Sequence, residues 1–99
     1  MYEMLVAMNV TDDARYAAYR EAMAPILATY GGGFRYDFKV GETLSEAPEH
    51  PVTRVFAIFF ADEDASAAFF ADPDYLAVKA EHFDGAVHGF TVMVAHTHE

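Results

Sequence analysis

The run from Val52 to Ala61, VTRVFAIFFA, is apolar at both parities. Successive side chains of an extended strand point to opposite faces, so Phe56, Ile58 and Phe60 take one face and Val55, Ala57 and Phe59 the other. A strand that is apolar on both sides must be covered on both sides. A chain of 99 residues has few helices with which to do this, so a partner subunit is the natural second cover. Tyr2 to Asn9 repeats the pattern, with Met4, Val6 and Met8 alternating with Leu5 and Ala7.

Between and after these strands the punctuation is clear. Thr11 or Asp12 caps a helix whose first turn carries Asp12 and Asp13, where carboxylates complement the positive end of the helix dipole. Tyr16, Tyr19, Met23, Ile26, Leu27 and Tyr30 recur at spacings of three and four and form its apolar face. Pro25 predicts a kink or short break, and Gly31, Gly32 and Gly33 end the helix. The second strand, Phe34 to Val40, is expected to put Phe34, Tyr36, Phe38 and Val40 on one face and Arg35, Asp37 and Lys39 on the other, a polar side that suits a sheet edge. Gly41 to Pro51 is an acidic loop with two prolines. Asp62, Glu63 and Asp64 open a second helix that Asp72-Pro73 restarts, and the last strand is expected from Gly89 to Ala95.

The order β-α-β-β-α-β is the split βαβ arrangement of a ferredoxin-like α+β fold, in which two helices cover one face of a four-stranded antiparallel sheet. One domain over residues 1–99 accounts for the whole chain. The second face, apolar on strands one, three and four, would exceed the ~300–600 Å² patch usual on a monomer. An isologous homodimer with sheets face to face answers that problem.

Composition excludes some partners. A net charge of −10, from 16 acidic and 6 basic residues, repels nucleic acid and anionic membranes. The N-terminal stretch MYEMLVAMNVTDD lacks a basic segment and a cleavage site, and its apolar run is far shorter than a bilayer span, so it reads as a strand rather than an address. The absence of cysteine removes disulfide and thiolate chemistry and fits a reducing compartment, with the cytoplasm as the expectation.

Three segments, GGGFRYDF at 31–38, RVFAIFFADEDA at 54–65 and FFADPDYLAVKAEHF at 69–83, resemble the domain-of-unknown-function 1330 family of the dimeric α/β-barrel superfamily. The resemblance implies a ferredoxin-like monomer that pairs sheets into a barrel, with a cleft between sheet and helices. It also implies a superfamily setting that includes cofactor-free oxygenases, muconolactone-type isomerases and haem-handling proteins. Many members carry an arginine where His82 stands and a basic residue where Gly33 stands, so no ligand-anchoring arginine is carried over to those positions.

Among single residues, His82 follows Tyr75 and Val78 at helical spacings and is the candidate proton carrier, against a bland reading as a solvated or capping histidine. Asp37 and Arg54 interrupt aromatic runs on neighbouring strands. Such a pair could assist proton transfer and hold a substrate oxygen, or serve as a structural ion pair at the barrel rim. Tyr16, Tyr19 and Tyr36, with Tyr30, could line a pocket and donate phenolic hydrogen bonds, although tyrosines at helical spacing commonly belong to a core. His96 and His98 flank Thr97, and an extended chain puts both imidazoles on one side as a chelate requires. With no third ligand in view they read as a frayed tail, and no metal or cofactor is expected, haem ligation by His82 being a weaker alternative. Two functional readings follow. One is a cofactor-independent enzyme of isomerase or oxygenase type acting on a small apolar or aromatic metabolite. The other is a non-catalytic dimer that binds a ligand or serves as an interaction module.

Overall fold

The computed structural model describes residues 1–45 and 49–98, so Pro48 of the predicted loop lies outside the described residues. The chain folds as β1 (Tyr2–Val10), α1 (Asp13–Thr29), β2 (Gly33–Lys39), β3 (Arg54–Phe60), α2 (Glu63–Ala71), α3 (Pro73–Val78), a π-helical turn (Lys79–Phe83) and β4 (Val87–Thr97). The four strands form one antiparallel sheet in the order β2-β3-β1-β4, with the helices on one face. This is the ferredoxin-like α+β fold. Among the described residues no helix is long and apolar enough to cross a membrane.

Local chemistry sets the boundaries. Asp12 caps α1 by accepting from the Arg15 amide at 3.0 Å, and Asp62 caps α2 by accepting from the Ala65 amide at 2.7 Å. Asp72 caps α3, with Pro73 in the first turn where its missing N–H costs nothing. The end of α1 is closed by two reversed bonds, Gly32 N–H to Leu27 O and Gly31 N–H to Ala28 O, both 3.1 Å, with Gly31 at φ 69°. That left-handed turn is open to glycine at little steric cost. The predicted break at Pro25 does not occur: α1 runs unbroken to Thr29. The proline removes one amide donor, and the acceptor it leaves, the carbonyl of exposed Glu21, lies on the solvent side.

The core lies between helices and sheet. Val6, Met8 and Val10 of β1 and Phe56, Ile58 and Phe60 of β3 meet Tyr16, Tyr19, Met23 and Leu27 of α1 and Phe69, Tyr75 and Phe83 from the second helical region. The opposite face carries no helix. There Leu5 pairs with Ala57 and with Val94, Val55 with Phe38, and Ala57 with Tyr36.

The face assignment of β2 departs from simple alternation. A β-bulge between Phe34 and Tyr36 inserts one residue, so Phe34 pairs with Ile58 but Tyr36 pairs with Ala57 and Asp37 with Phe56. Phe34 therefore faces the helices together with Asp37, while Tyr36 and Phe38 face the bare side. The expected grouping of Phe34, Tyr36 and Phe38 on one face is corrected by that single extra residue. As expected, β2 is an edge strand.

Candidate functional site

A cavity of about 340 Å³ opens between the helices and the sheet, at the lower end of the ~300–1,000 Å³ typical of ligand clefts. Its floor is Met4, Val6 and Met8 of β1, Phe56 and Ile58 of β3, and Phe34 of β2. Its walls are Tyr16, Tyr19, Arg20 and Met23 of α1 opposite Phe70, Tyr75, Leu76 and Lys79, and Phe90 and Val92 of β4 complete the rim. Four of these, Phe70, Leu76, Phe90 and Val92, are among the nine large apolar side chains left exposed among the described residues. Four more, Tyr36, Phe38, Met93 and Val94, lie on the bare sheet face. Exposed apolar surface is thus concentrated in two places, the mouth of the cleft and the uncovered sheet.

Arg20 joins the cleft wall to a charged constellation beside it. Arg54 donates from Nε and Nη2 to the two oxygens of Asp37, each at 2.8 Å, a bidentate pair. Arg20 reaches the same carboxylate from α1 at 3.2 and 3.4 Å, and its Nε donates to the Tyr16 hydroxyl at 2.8 Å. The Arg20 guanidinium also lies 3.7 Å from the centre of the Phe34 ring and 4.7 Å from that of Phe56. Two guanidinium groups share one carboxylate, which leaves a net charge of about +1 beside an apolar pocket. Deeper in, the Tyr19 and Tyr75 hydroxyls are 2.9 Å apart. Burial pushes the hydroxyls of Tyr16, Tyr19 and Tyr75 above the ordinary phenol range, so all three stay protonated hydrogen-bonding groups at neutral pH.

The fold brings Asp37, Arg54, Tyr16 and Tyr19 together at or beside this cleft. It does not bring Tyr36, which the bulge turns to the other face, or His82, which is not among the lining residues. The physical reason for the latter is the π-helical turn, in which the Asp84 amide bonds to the Lys79 carbonyl five residues back. One residue beyond α-helical spacing displaces His82 from the face that Tyr75 occupies, and the His82 ring lies 3.8 Å from the Glu81 carboxylate. Arg20 was absent from the sequence candidates. Its signal was present as a basic residue four positions after Tyr16, on the helix face that also carries Tyr19 and Met23.

The hydrogen bonds from Arg54, followed by the charges of both arginines, hold the Asp37 carboxyl below its ordinary range. A depressed folded-state pKa adds stability that is complete above the unfolded value of ~3.9 and is lost as pH falls through the folded value. Stability is therefore expected to be flat in its Asp37 contribution from neutral pH down to about pH 4, and to decline below it. Urea titrations at stepped pH on the protein and on Asp37→Asn test this. Parallel acid limbs for the two would remove Asp37 from the account.

Fold and site together define a ferredoxin-like α+β protein with a ligand-sized, largely apolar cleft that carries Arg20 in its wall. The chain belongs to the family described as Domain of unknown function (DUF1330), whose profile matches residues 2–96. It is similar in structure to a protein of unknown function from Rhodopseudomonas palustris, with a TM-score of 0.80 at 18% identity over 95% of this chain and 78% of that one. A DABB-family protein with a ferredoxin-like fold from Mesorhizobium loti gives 0.69 at 14% identity over 99% and 96%. A proposed antibiotic biosynthesis monooxygenase from Nitrosomonas europaea gives 0.58 at 17% identity over 99% and 98%. At these identities the likeness establishes the fold. No curated protein matches the sequence.

Proposed function

We propose that this chain is a cytoplasmic homodimer whose sheet–helix cleft binds a small apolar or aromatic metabolite bearing one anionic oxygen, and acts on it without a cofactor. The observation that carries the reading is Arg20, a guanidinium set in the wall of a largely apolar cavity of about 340 Å³ and left partly uncompensated by the carboxylate it shares with Arg54, whereas the other cation of the wall, Lys79, is paired with Asp84. A carboxylate or enolate would meet Arg20, and the ring or chain of the ligand would lie on Met4, Val6 and Ile58. The paired hydroxyls of Tyr19 and Tyr75 supply hydrogen bonds to a second oxygen. Such a site favours the charged form of an enol or phenol, as isomerisation or direct reaction with oxygen requires.

In this reading Asp37 is a positioning residue. A carboxylate that accepts from two arginines is a weak base, and its role is to fix Arg54 and orient Arg20. A specific observation keeps the non-catalytic alternative alongside. Among the described residues no carboxylate or imidazole lines the cleft, so a ligand held there has no proton acceptor of ordinary strength in contact with it.

The dimer rests on Tyr36, Phe38, Met93 and Val94, which are 52%, 57%, 48% and 45% exposed on a face with no helix over it. The cytoplasmic assignment rests on the absence of cysteine alone.

Binding of 1-naphthoate and of the neutral 1-naphthylmethanol, followed by calorimetry on the protein and on Arg20→Met, tests the reading. The protein is expected to prefer the acid, and Arg20→Met to lose roughly 10- to 100-fold in affinity for the acid while holding the alcohol unchanged. Equal acid affinity in both proteins would refute the anion-anchoring role of Arg20.

A further inference from the structure

On the sheet face opposite the cleft, three side chains converge that the cleft does not use. Glu3 of β1 sits directly across from His96 of β4 in the strand register, and His98 follows His96 by two residues on the same face. The tail does not fray: β4 runs to Thr97, His98 N–H donates to Met1 O at 2.7 Å, and the Met1 amine donates back to His98 O at 2.8 Å. The three heavy atoms lie close together. Nε2 of His96 and Nε2 of His98 are 2.6 Å apart, and Oε1 of Glu3 is 3.1 Å from the second and 3.8 Å from the first.

Two features separate this cluster from a chance surface grouping. Glu3 is only 5% exposed, an unusual cost for a carboxylate in an apolar strand. Its Oε2 is buried without a hydrogen-bond partner, although Arg35 Nε lies 2.5 Å away out of line for one. Moreover, two imidazole nitrogens at 2.6 Å are closer than a neutral hydrogen bond between them favours.

We propose that Glu3, His96 and His98 form a binding site for a divalent transition cation of the zinc type. Zn²⁺ takes imidazole nitrogen and carboxylate oxygen at about 2.0–2.1 Å in tetrahedral array, which sets donor atoms about 3.3 Å apart. The three observed separations bracket that value, so rotations of the exposed imidazoles close the site without moving the backbone. Three protein ligands leave the fourth position to water. Arg35 opposes the cation by charge and also approaches Oε1 with Nη2 at 3.4 Å. Its side chain is 41% exposed and can turn to solvent, or stay on Oε2 and orient the ligating carboxylate. The ion would tie the last strand to the first at the end of the sheet that holds both Met1 and His98.

The test is calorimetric titration of ZnCl₂ into untagged protein freed of metal by chelation. One equivalent per chain is expected, with His96→Ala, His98→Ala and Glu3→Gln each weakening binding about tenfold or more. His88→Ala, which removes an exposed histidine of the same strand, is expected to bind as the parent does. No binding at micromolar concentrations, an unchanged His98→Ala, or loss in His88→Ala equal to that in His98→Ala would each overturn the site. Should Glu3→Gln fail to fold, X-ray absorption of the zinc-loaded parent decides: two imidazoles with oxygen donors support the site, and a shell with fewer imidazoles overturns it.

Discussion

Replacement of Phe69 by alanine is expected to cost about 3–5 kcal/mol of folding free energy, the range for removing a large aromatic ring from a core. Phe69 is fully buried, and its ring centre lies 4.3 Å from that of Tyr75, 5.1 Å from Phe70, 5.6 Å from Phe60 and 5.9 Å from Tyr30. It is thus the shared contact of α2, α3, β3 and the end of α1. A domain of this size has roughly 5–15 kcal/mol in total, so the loss is a large fraction of it. The melting temperature is expected to fall by about 12 °C or more. Because Phe69 backs Phe70 and Tyr75 in the cleft wall, ligand affinity is expected to fall with it. Urea and thermal melts measure the effect, and Phe69→Leu, which keeps much of the volume, should lose less. A Phe69→Ala protein within about 1 kcal/mol of the parent would mean that the second helical region does not pack on this ring.

The second large effect concerns the bare face. Phe38 on β2 and Met93 on β4 lie on opposite edge strands, so sheets packed face to face cover at least one of them. Both are about half exposed in the single chain, and a change to glutamate there leaves the core untouched. Burying an unpaired carboxylate between two apolar sheets is strongly unfavourable, and the pair Phe38→Glu and Met93→Glu is expected to raise the dimer dissociation constant by at least ~100-fold, about 2.7 kcal/mol. Sedimentation velocity at micromolar protein reads the result, with circular dichroism confirming that the variants fold. A parent that sediments as a single chain, or a double variant that still sediments as a dimer, would remove the face-to-face assembly.

What could be read in the chain beforehand were features set by neighbours in sequence. The caps at Asp12, Asp62 and Asp72, the glycine exit after Tyr30 and the double-sided β1 and β3 depend on local backbone chemistry and alternation. Other features escaped because they depend on partners distant in sequence or on one irregular turn. The faces of Asp37 and Tyr36 were fixed by the bulge against β3, which alternation alone does not reveal. His82 was misaligned with Tyr75 because a π-helical turn breaks the spacing of three and four. Glu3 drew no notice as one carboxylate in an apolar strand, since its significance lies in a register pairing with His96, 93 positions later. Asp37 and Arg54 were legible as a pair, while Arg20, the third member, was hidden among the aromatic residues of the α1 face.

The extra residue in β2 has a consequence for descent. Two related chains could keep the same residue types from 34 to 39 and yet present opposite sets to the helix side, depending on whether the strand bulges against β3 or pairs with it in regular alternation. With the bulge, Asp37 faces the helix side and two aromatic rings face the bare side; in regular alternation the same residues would change places. The make-up of both sheet faces is therefore linked to one backbone irregularity, and a lineage that gains or loses it changes both at once.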